Sequence, residues 1–111
     1  MARILVVEDD TTQLEMRTQI LEHAGYEVVT AQSVAEAVER WQGCSVVLMD
    51  LRIPKPEDGA RLIQAIQGAA RIIVLSGGEV DPALPVDEVL RKPCPSKRLL
   101  ESIQRWTSES K

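Results

Sequence analysis

The sequence predicts a single α/β domain built on a parallel sheet. Two short apolar runs, residues 4–7 and 46–49, lack the alternation of a half-buried strand and are typical of strands covered on both faces. Segments with helical spacing separate the strand-like runs, and this alternation favours a parallel sheet with right-handed crossovers. The 111 residues suffice for one core, so we expect one domain over residues 1–111.

The first half of the chain contains three predicted strands and two predicted helices. Gly25 is a suitable residue to end the first helix, and Ser33 begins a capping box with Glu36 in the second. In the first helix, Met16, Ile20, Leu21 and Ala24 share a face that we expect to be buried. The elements are a strand over 3–7, a helix over 12–24, a strand over 26–31, a helix between Ser33 and Gly43, and a strand over 46–50.

The second half continues the alternation, with one gap. A proline-containing loop over 51–59 leads to a helix starting at Asp58 or Gly59, then to a strand over 71–76 and a strand over 89–91. Ser96 begins the last helix. Between the last two strands, residues 77–88 contain two prolines and two glycines, which disfavour a regular helix. The helix that would connect these two strands in a strictly alternating α/β chain is therefore predicted to be degenerate or missing.

Composition and charge exclude several classes of protein. The net charge of −4 disfavours nucleic-acid binding, and no apolar run approaches the ~18 residues of a membrane span. Acidic residues begin at Glu8, so the first residues lack the apolar region expected of a signal peptide. Cys44 and Cys94 lack metal-ligand spacing and are interpreted as free thiols, with a disulfide between them as the minor alternative, so a cytoplasmic location is expected.

Polar groups follow four of the predicted strands: Glu8 with Asp9, Asp50, Ser76 and Lys92. The carboxyl ends of parallel strands lie at one edge of a sheet, where ligands bind. Three carboxylates gathered there would repel one another, and Mg²⁺ is the natural companion because it prefers oxygen ligands. A lysine and a hydroxyl beside such a cation suit a phosphoryl group. One carboxylate could then act as the nucleophile and form an aspartyl phosphate.

These motifs resemble those of a known family. The set Val7-Glu8-Asp9, Leu48-Met49-Asp50, Val74-Leu75-Ser76 and Arg91-Lys92-Pro93 is similar to that of the receiver domains of two-component response regulators, such as the chemotaxis regulators. The resemblance covers nearly the whole chain. It implies a three-layer, flavodoxin-like fold with five parallel strands in the order 2-1-3-4-5.

The resemblance also implies roles for individual residues. Asp50 corresponds to the phosphoacceptor, Ser76 to the hydroxyl that bonds the phosphoryl oxygen, and Lys92 to the cation that pairs with it. Mg²⁺ is implied as cofactor, and its expected ligands are Glu8, Asp9, Asp50 and the backbone carbonyl of Arg52. Within the acidic pair, Asp9 is the more probable direct ligand. The Lys92-Pro93 bond is commonly cis in this family.

Some positions depart from the family pattern. Val89 stands where an aromatic switch residue is usual, and Cys94 replaces the usual phenylalanine after Lys-Pro. The loop over 54–59 is one residue longer than usual. Leu14 lies off the face predicted to be buried in the first helix, and is either a peripheral core residue or part of a docking surface.

The expected function is that of a signalling switch that catalyses its own modification and is not a turnover enzyme. It would receive its phosphoryl group from a phosphohistidine on a sensor histidine kinase or a histidine phosphotransfer protein, and act as a monomer on an unspecified downstream protein.

One alternative is a receiver excised from a hybrid kinase or longer regulator. A Mg²⁺-dependent aspartyl-phosphate phosphatase is an alternative of another class. That class places an Asp two residues after the nucleophile, and Arg52 stands there instead. A pseudo-receiver that only binds partners is disfavoured by the full set of site residues.

Overall fold

The computed structural model describes residues 2–50, 56–80 and 82–108. Within them, five strands form one parallel sheet in the order β2-β1-β3-β4-β5, which confirms the predicted fold class and strand order. The elements are β1 (Arg3–Val7), α1 (Thr11–His23), β2 (Glu27–Ala31), α2 (Val34–Arg40), β3 (Val46–Asp50), α3 (Pro56–Ile66), β4 (Arg71–Ser76), β5 (Glu88–Arg91) and α4 (Ser96–Ser108).

Side chains of the central strands alternate between two apolar cores, because successive residues of a strand point to opposite faces. In β3, Val47 and Met49 belong to the core on the side of α2 and α3. Val46 and Leu48 belong to the core on the side of α1 and α4. All five residues of β3 are buried, so this strand is covered on both faces as the apolar run predicts. The result is three layers, with the sheet between two pairs of helices.

The predicted positions of Gly25 after the first helix and of Ser33 before the second are confirmed, whereas α1 begins one residue before the predicted start and α2 ends at Arg40, before Gly43. Asp10 precedes α1 and its Oδ1 accepts a hydrogen bond from the Gln13 backbone nitrogen at 3.1 Å. Ser33 plays the same part for α2, with its Oγ 3.1 Å from the Glu36 nitrogen. After α1 the chain turns at Gly25, whose φ of +99° lies in the region that glycine adopts without steric cost.

The buried face of α1 differs from the prediction. Its buried residues are Leu14, Arg17 and Leu21, whereas Met16 is 48% exposed. Leu14 is only 7% exposed, so its interpretation as a core residue is confirmed and it offers little surface to a partner. Helical spacing alone allows several neighbouring faces of α1 to be the buried one. In the structure, the buried face is the one that places Arg17 against Glu8.

Smaller differences occur at the next two helices. Helical spacing predicts that Val38 and Trp41 share the buried face of α2 with Val34 and Ala37. In the structure Val38 is exposed, and Trp41 is half-buried at the end of that helix. Helix α3 begins at Pro56, before the predicted start at Asp58 or Gly59. Proline is favoured in the first turn of a helix, where its missing N–H has no partner to lose. Helical spacing predicts that Leu62, Ile63 and Ile66 of α3 face inward, and all three are buried.

No helix lies between β4 and β5 in residues 77–80 and 82–87, which confirms the predicted loss of that element within the described part of the segment. Leu84 and Val86 pack against the core in its place. Asp87 holds the end of the segment against the sheet, because its Oδ2 accepts a 2.7 Å hydrogen bond from the Ile72 nitrogen.

Glu88, the first residue of β5, binds α4 to the sheet. Its carboxylate accepts hydrogen bonds from Ser102 Oγ at 2.5 Å and Trp106 Nε1 at 2.8 Å. Arg98 donates to the same group at 2.8 Å and Arg105 at 3.3 Å. Partial burial tends to raise the pKa of Glu88, but the hydrogen bonds from Ser102, Trp106 and Arg98 outweigh it, so the pKa is lowered.

Two further sequence predictions concern the cysteines and a possible membrane span. Cys44 and Cys94 are free thiols, as expected. Across the described residues, no helix is long and apolar enough to cross a membrane.

Candidate functional site

The carboxyl edge of the sheet opens into a cavity of about 860 Å³ between α1 and α4. Side chains that follow three strands line it: Glu8 and Asp9 after β1, Asp50 at the end of β3, and Lys92 after β5. Four of the five predicted side-chain positions of the site therefore meet in one place. Helices complete the walls with Gln13, Met16, Arg17, Ile20, Ser96 and Leu99.

Asp50 is the most buried acid at the cavity floor apart from Glu8, with 4% of its surface exposed. It shares its sheet face with Val46 and Leu48, the residues that contact the core beneath α1 and α4. Alternation along β3 thus directs its carboxylate toward the cavity. Lys92 Nζ contacts Asp50 Oδ2, so this carboxylate has a cation beside it before any ligand arrives.

Lys92 is held by the backbone on both sides. Its nitrogen donates to the Ser76 carbonyl at 2.9 Å, which extends the β4–β5 pairing to the site. The following Lys92-Pro93 peptide bond is cis, as the resemblance led us to expect. The hydrogen bond to Ser76 and the contact with Asp50 place the lysine ammonium at the sheet edge, where an incoming anion would meet it.

Glu8 forms a buried ion pair with Arg17 that was not predicted from the sequence. Its Oε1 contacts Arg17 Nη1, and both side chains are nearly inaccessible to solvent. Its Oε2 accepts a 3.2 Å hydrogen bond from the Asp10 nitrogen. Arg17 could have been recognised from its spacing, because it lies three residues after Leu14 and four before Leu21 on one helix face. A charged residue at such a position requires a buried partner.

Asp9 is exposed at the cavity mouth, and Asp10 is engaged as the N-cap of α1. Carboxylate oxygens are the donors that Mg²⁺ prefers, so the chemistry of Asp9 and Asp50 fits this ion. Searched over the described residues, however, no three His, Cys, Asp or Glu side chains are gathered so that they could hold a metal ion. The remaining predicted ligand, the carbonyl of Arg52, lies outside the described residues. The metal assignment stays a prediction.

Ser76 ends β4 but is not part of the cavity wall. Its Oγ donates to the Gly78 carbonyl at 3.1 Å and accepts from the Gly78 nitrogen at 3.2 Å. Arg91 Nη1 donates to the same Gly78 carbonyl at 3.3 Å. The hydroxyl would have to exchange these local bonds in order to contact a group bound at Asp50, so its role also stays a prediction.

Cys94 lines the cavity two residues after Lys92. Burial raises the pKa of its thiol, and the charges of Arg98 and Arg17 oppose this only in part. The group therefore remains a protonated thiol near neutral pH, without the thiolate character that a nucleophile requires. Among the cavity side chains, this leaves the Asp50 carboxylate as the group best placed for nucleophilic chemistry.

Comparison with known proteins gives a consistent result. Residues 4–104 match the response regulator receiver domain family. A transcriptional regulatory protein CpxR homolog from Haemophilus influenzae is 27% identical over 113 residues, which cover 94% of this chain and 49% of that protein. The chain thus spans about half the length of this relative.

Solved structures agree along the whole chain. A response regulator receiver domain protein from Clostridium thermocellum superposes with a TM-score of 0.83 at 32% identity, covering 97% of this chain and 95% of that one. A CheY-like receiver domain protein from Methanospirillum hungatei gives 0.85 at 28% identity, covering 98% and 95%. The chemotaxis response regulator CheY4 of Vibrio cholerae gives 0.82 at 28% identity, covering 96% and 98%. The chain belongs to the response regulator receiver domain family, whose members accept a phosphoryl group in two-component signalling.

Proposed function

We propose that Asp50 is the residue that accepts the phosphoryl group, and that the whole chain, residues 1–111, acts as one receiver domain. The observation that carries this proposal is the position of Asp50: a buried carboxylate at the end of the central strand, beside Lys92, in the cavity at the carboxyl edge of the sheet. Burial keeps competing water away, and the opening between α1 and α4 gives a donor access.

The chemistry needs one nucleophile and several positive groups. An Asp50 oxygen would attack phosphorus while the bond from phosphorus to the donor's imidazole nitrogen breaks. The electron pair leaves with that nitrogen, which then takes up a proton. Lys92 would pass from the Asp50 carboxylate to a phosphoryl oxygen, and Ser76 would give up its bonds to Gly78 to reach another.

We further propose that Mg²⁺ is the cofactor, as is general in this family, with Asp9 and Asp50 as side-chain ligands and the Arg52 carbonyl as an additional one. When bound, the ion would neutralise negative charge on the transferring group and on the carboxylates around it. Glu8 is the other member of the acidic pair with Asp9.

The partners follow from the family. Receiver domains interact with histidine kinases or histidine phosphotransfer proteins, and we propose such a phosphohistidine protein as the donor for this chain. We also propose that the chain works in the cytoplasm as a monomer, without binding nucleic acid or membrane, and passes its signal to a downstream protein. Self-catalysed phosphorylation and dephosphorylation would be its own chemistry, and it would not turn over a diffusible substrate.

Phosphorylation by a small donor tests the assignment of Asp50. Incubation with acetyl phosphate and Mg²⁺ should add one phosphoryl group, seen by intact-mass spectrometry, and Asp50→Asn should abolish it. Asp87→Asn is the matched control, because Asp87 lies at the opposite edge of the sheet and contacts Arg71 and the Ile72 nitrogen. Equal labelling of wild type and Asp50→Asn would refute the proposal, as would equal loss of labelling in both variants.

A further inference from the structure

Arg17 is a cation buried in the α1 face that packs on the sheet, with 8% of its surface exposed. Removing a guanidinium from water costs several kcal/mol unless it is paired and hydrogen-bonded. Its neighbours on this face, Leu14 and Leu21, are buried and apolar, so neither they nor water can compensate the desolvation of the guanidinium. The charge must therefore be compensated by the group it contacts.

That group is Glu8, which is 2% exposed. Arg17 Nη1 contacts Glu8 Oε1, while Arg17 Nη2 lies 3.4 Å from Gln13 Oε1. The second Glu8 oxygen accepts from the Asp10 nitrogen at 3.2 Å. Both oxygens of this carboxylate are thus engaged by protein groups. A carboxylate held in this way would have to lose a buried ion pair before it could coordinate a cation.

A second carboxylate of the cavity, that of Asp50, is also neutralised by a cation of the protein. Lys92 pairs with Asp50 as Arg17 pairs with Glu8. The two cations leave a single formal negative charge on the three acids Glu8, Asp9 and Asp50. The predicted repulsion among three neighbouring carboxylates is therefore largely relieved within the protein. Lys92 is the more exposed of the two cations, and its flexible side chain allows the ammonium to move away from Asp50. The Arg17 side chain is enclosed by the protein.

We propose that Arg17 is a positioning residue that keeps Glu8 out of direct contact with the divalent cation and lowers the affinity of the site for it. This inference rests on the proposed Mg²⁺ site and assigns Glu8 a different part from Asp9. Glu8 would orient the start of α1 through the Asp10 nitrogen, and Asp9 and Asp50 would be the two side-chain ligands. Because the affinity is lowered, the fraction of protein with a bound cation would depend on the Mg²⁺ concentration in solution.

Isothermal titration of the unphosphorylated protein with Mg²⁺ tests this. Arg17→Met keeps much of the apolar volume but removes the charge, so Glu8 becomes available and the affinity should rise about tenfold or more. The double variant Glu8→Gln with Arg17→Met should return to within about twofold of wild type. Arg17→Lys, which keeps the charge, should also stay near wild type. A merely structural role for Arg17 would not produce a gain in affinity that requires Glu8.

Should Arg17→Met fail to fold without Mg²⁺, Arg17→Gln replaces it, because glutamine keeps hydrogen-bond donors for Glu8 without the charge. Unchanged or weaker Mg²⁺ binding in the charge-removing variant would overturn the inference. So would tighter binding that persists in the double variant, or the absence of Mg²⁺ binding in every variant. Labelling at Asp50 is read separately: its failure in wild type refutes the proposed function, whereas a failure of the Arg17 series alone refutes only this inference.

Discussion

Replacing Glu88 by glutamine should destabilise the domain by about 2–3 kcal/mol. The carboxylate accepts two hydrogen bonds from neutral donors, Ser102 Oγ and Trp106 Nε1, in a setting where its side chain is largely buried. Hydrogen bonds to a charged acceptor are roughly twice as strong as neutral ones, so glutamine should lose about 1 kcal/mol at each. The pairs with Arg98 and Arg105 are partly exposed and together add about 0–1 kcal/mol.

Urea denaturation followed by circular dichroism at pH 7 measures this loss. For a chain of this length, 2–3 kcal/mol corresponds to a decrease in Tm of roughly 10 °C. Glu27→Gln is the matched control, because Glu27 forms an ion pair with Arg3 in which both side chains are more than 40% exposed. Its loss should be under about 1 kcal/mol. A Glu88 variant within about 0.5 kcal/mol of wild type would refute the reasoning.

The pH dependence of the same variant gives an independent check. The pKa of Glu88 is lowered in the folded protein, so the carboxylate stabilises the fold fully at pH values above its unfolded pKa of about 4.3. This contribution is lost as the pH falls through the folded pKa. The difference in unfolding free energy between wild type and Glu88→Gln should therefore be constant from pH 7 to about pH 5.5 and shrink below about pH 4.3. A difference that grows on acidification would contradict the assignment.

Two other predictions concern the core and the signal. Leu48→Ala should lower the unfolding free energy by about 2–5 kcal/mol, because Leu48 is fully buried in the central strand; a loss below about 1 kcal/mol by urea denaturation would contradict the two-sided burial of β3. Binding of the phosphoryl mimic beryllium fluoride should change hydrogen exchange in residues 77–88, because Ser76 must release Gly78; new protection confined to α4 would count against this route.

The sequence by itself determined the fold class and which strand-terminal side chains lie at the carboxyl edge of the sheet. Short unbroken apolar runs rich in β-branched residues, such as residues 46–49, are typical of strands covered on both sides, and their alternation with helical segments favours a parallel sheet. Asp50 and Lys92 were recognisable because strand ends converge at one edge. The absence of a helix between β4 and β5 in the described part of that segment could also be predicted, because prolines and glycines act locally on the backbone.

The tertiary structure decided which face of each helix is buried and how the charges pair. Helical periodicity places Met16 and Arg17 on adjacent faces, and only packing against β1 shows that Arg17 points inward while Met16 remains exposed. The Glu8–Arg17 pair joins two elements, and so does the contact of Glu88 with Trp106. Such pairings depend on the distance between elements and on the dielectric environment around them, and neither quantity is encoded in the spacing of residues along the chain.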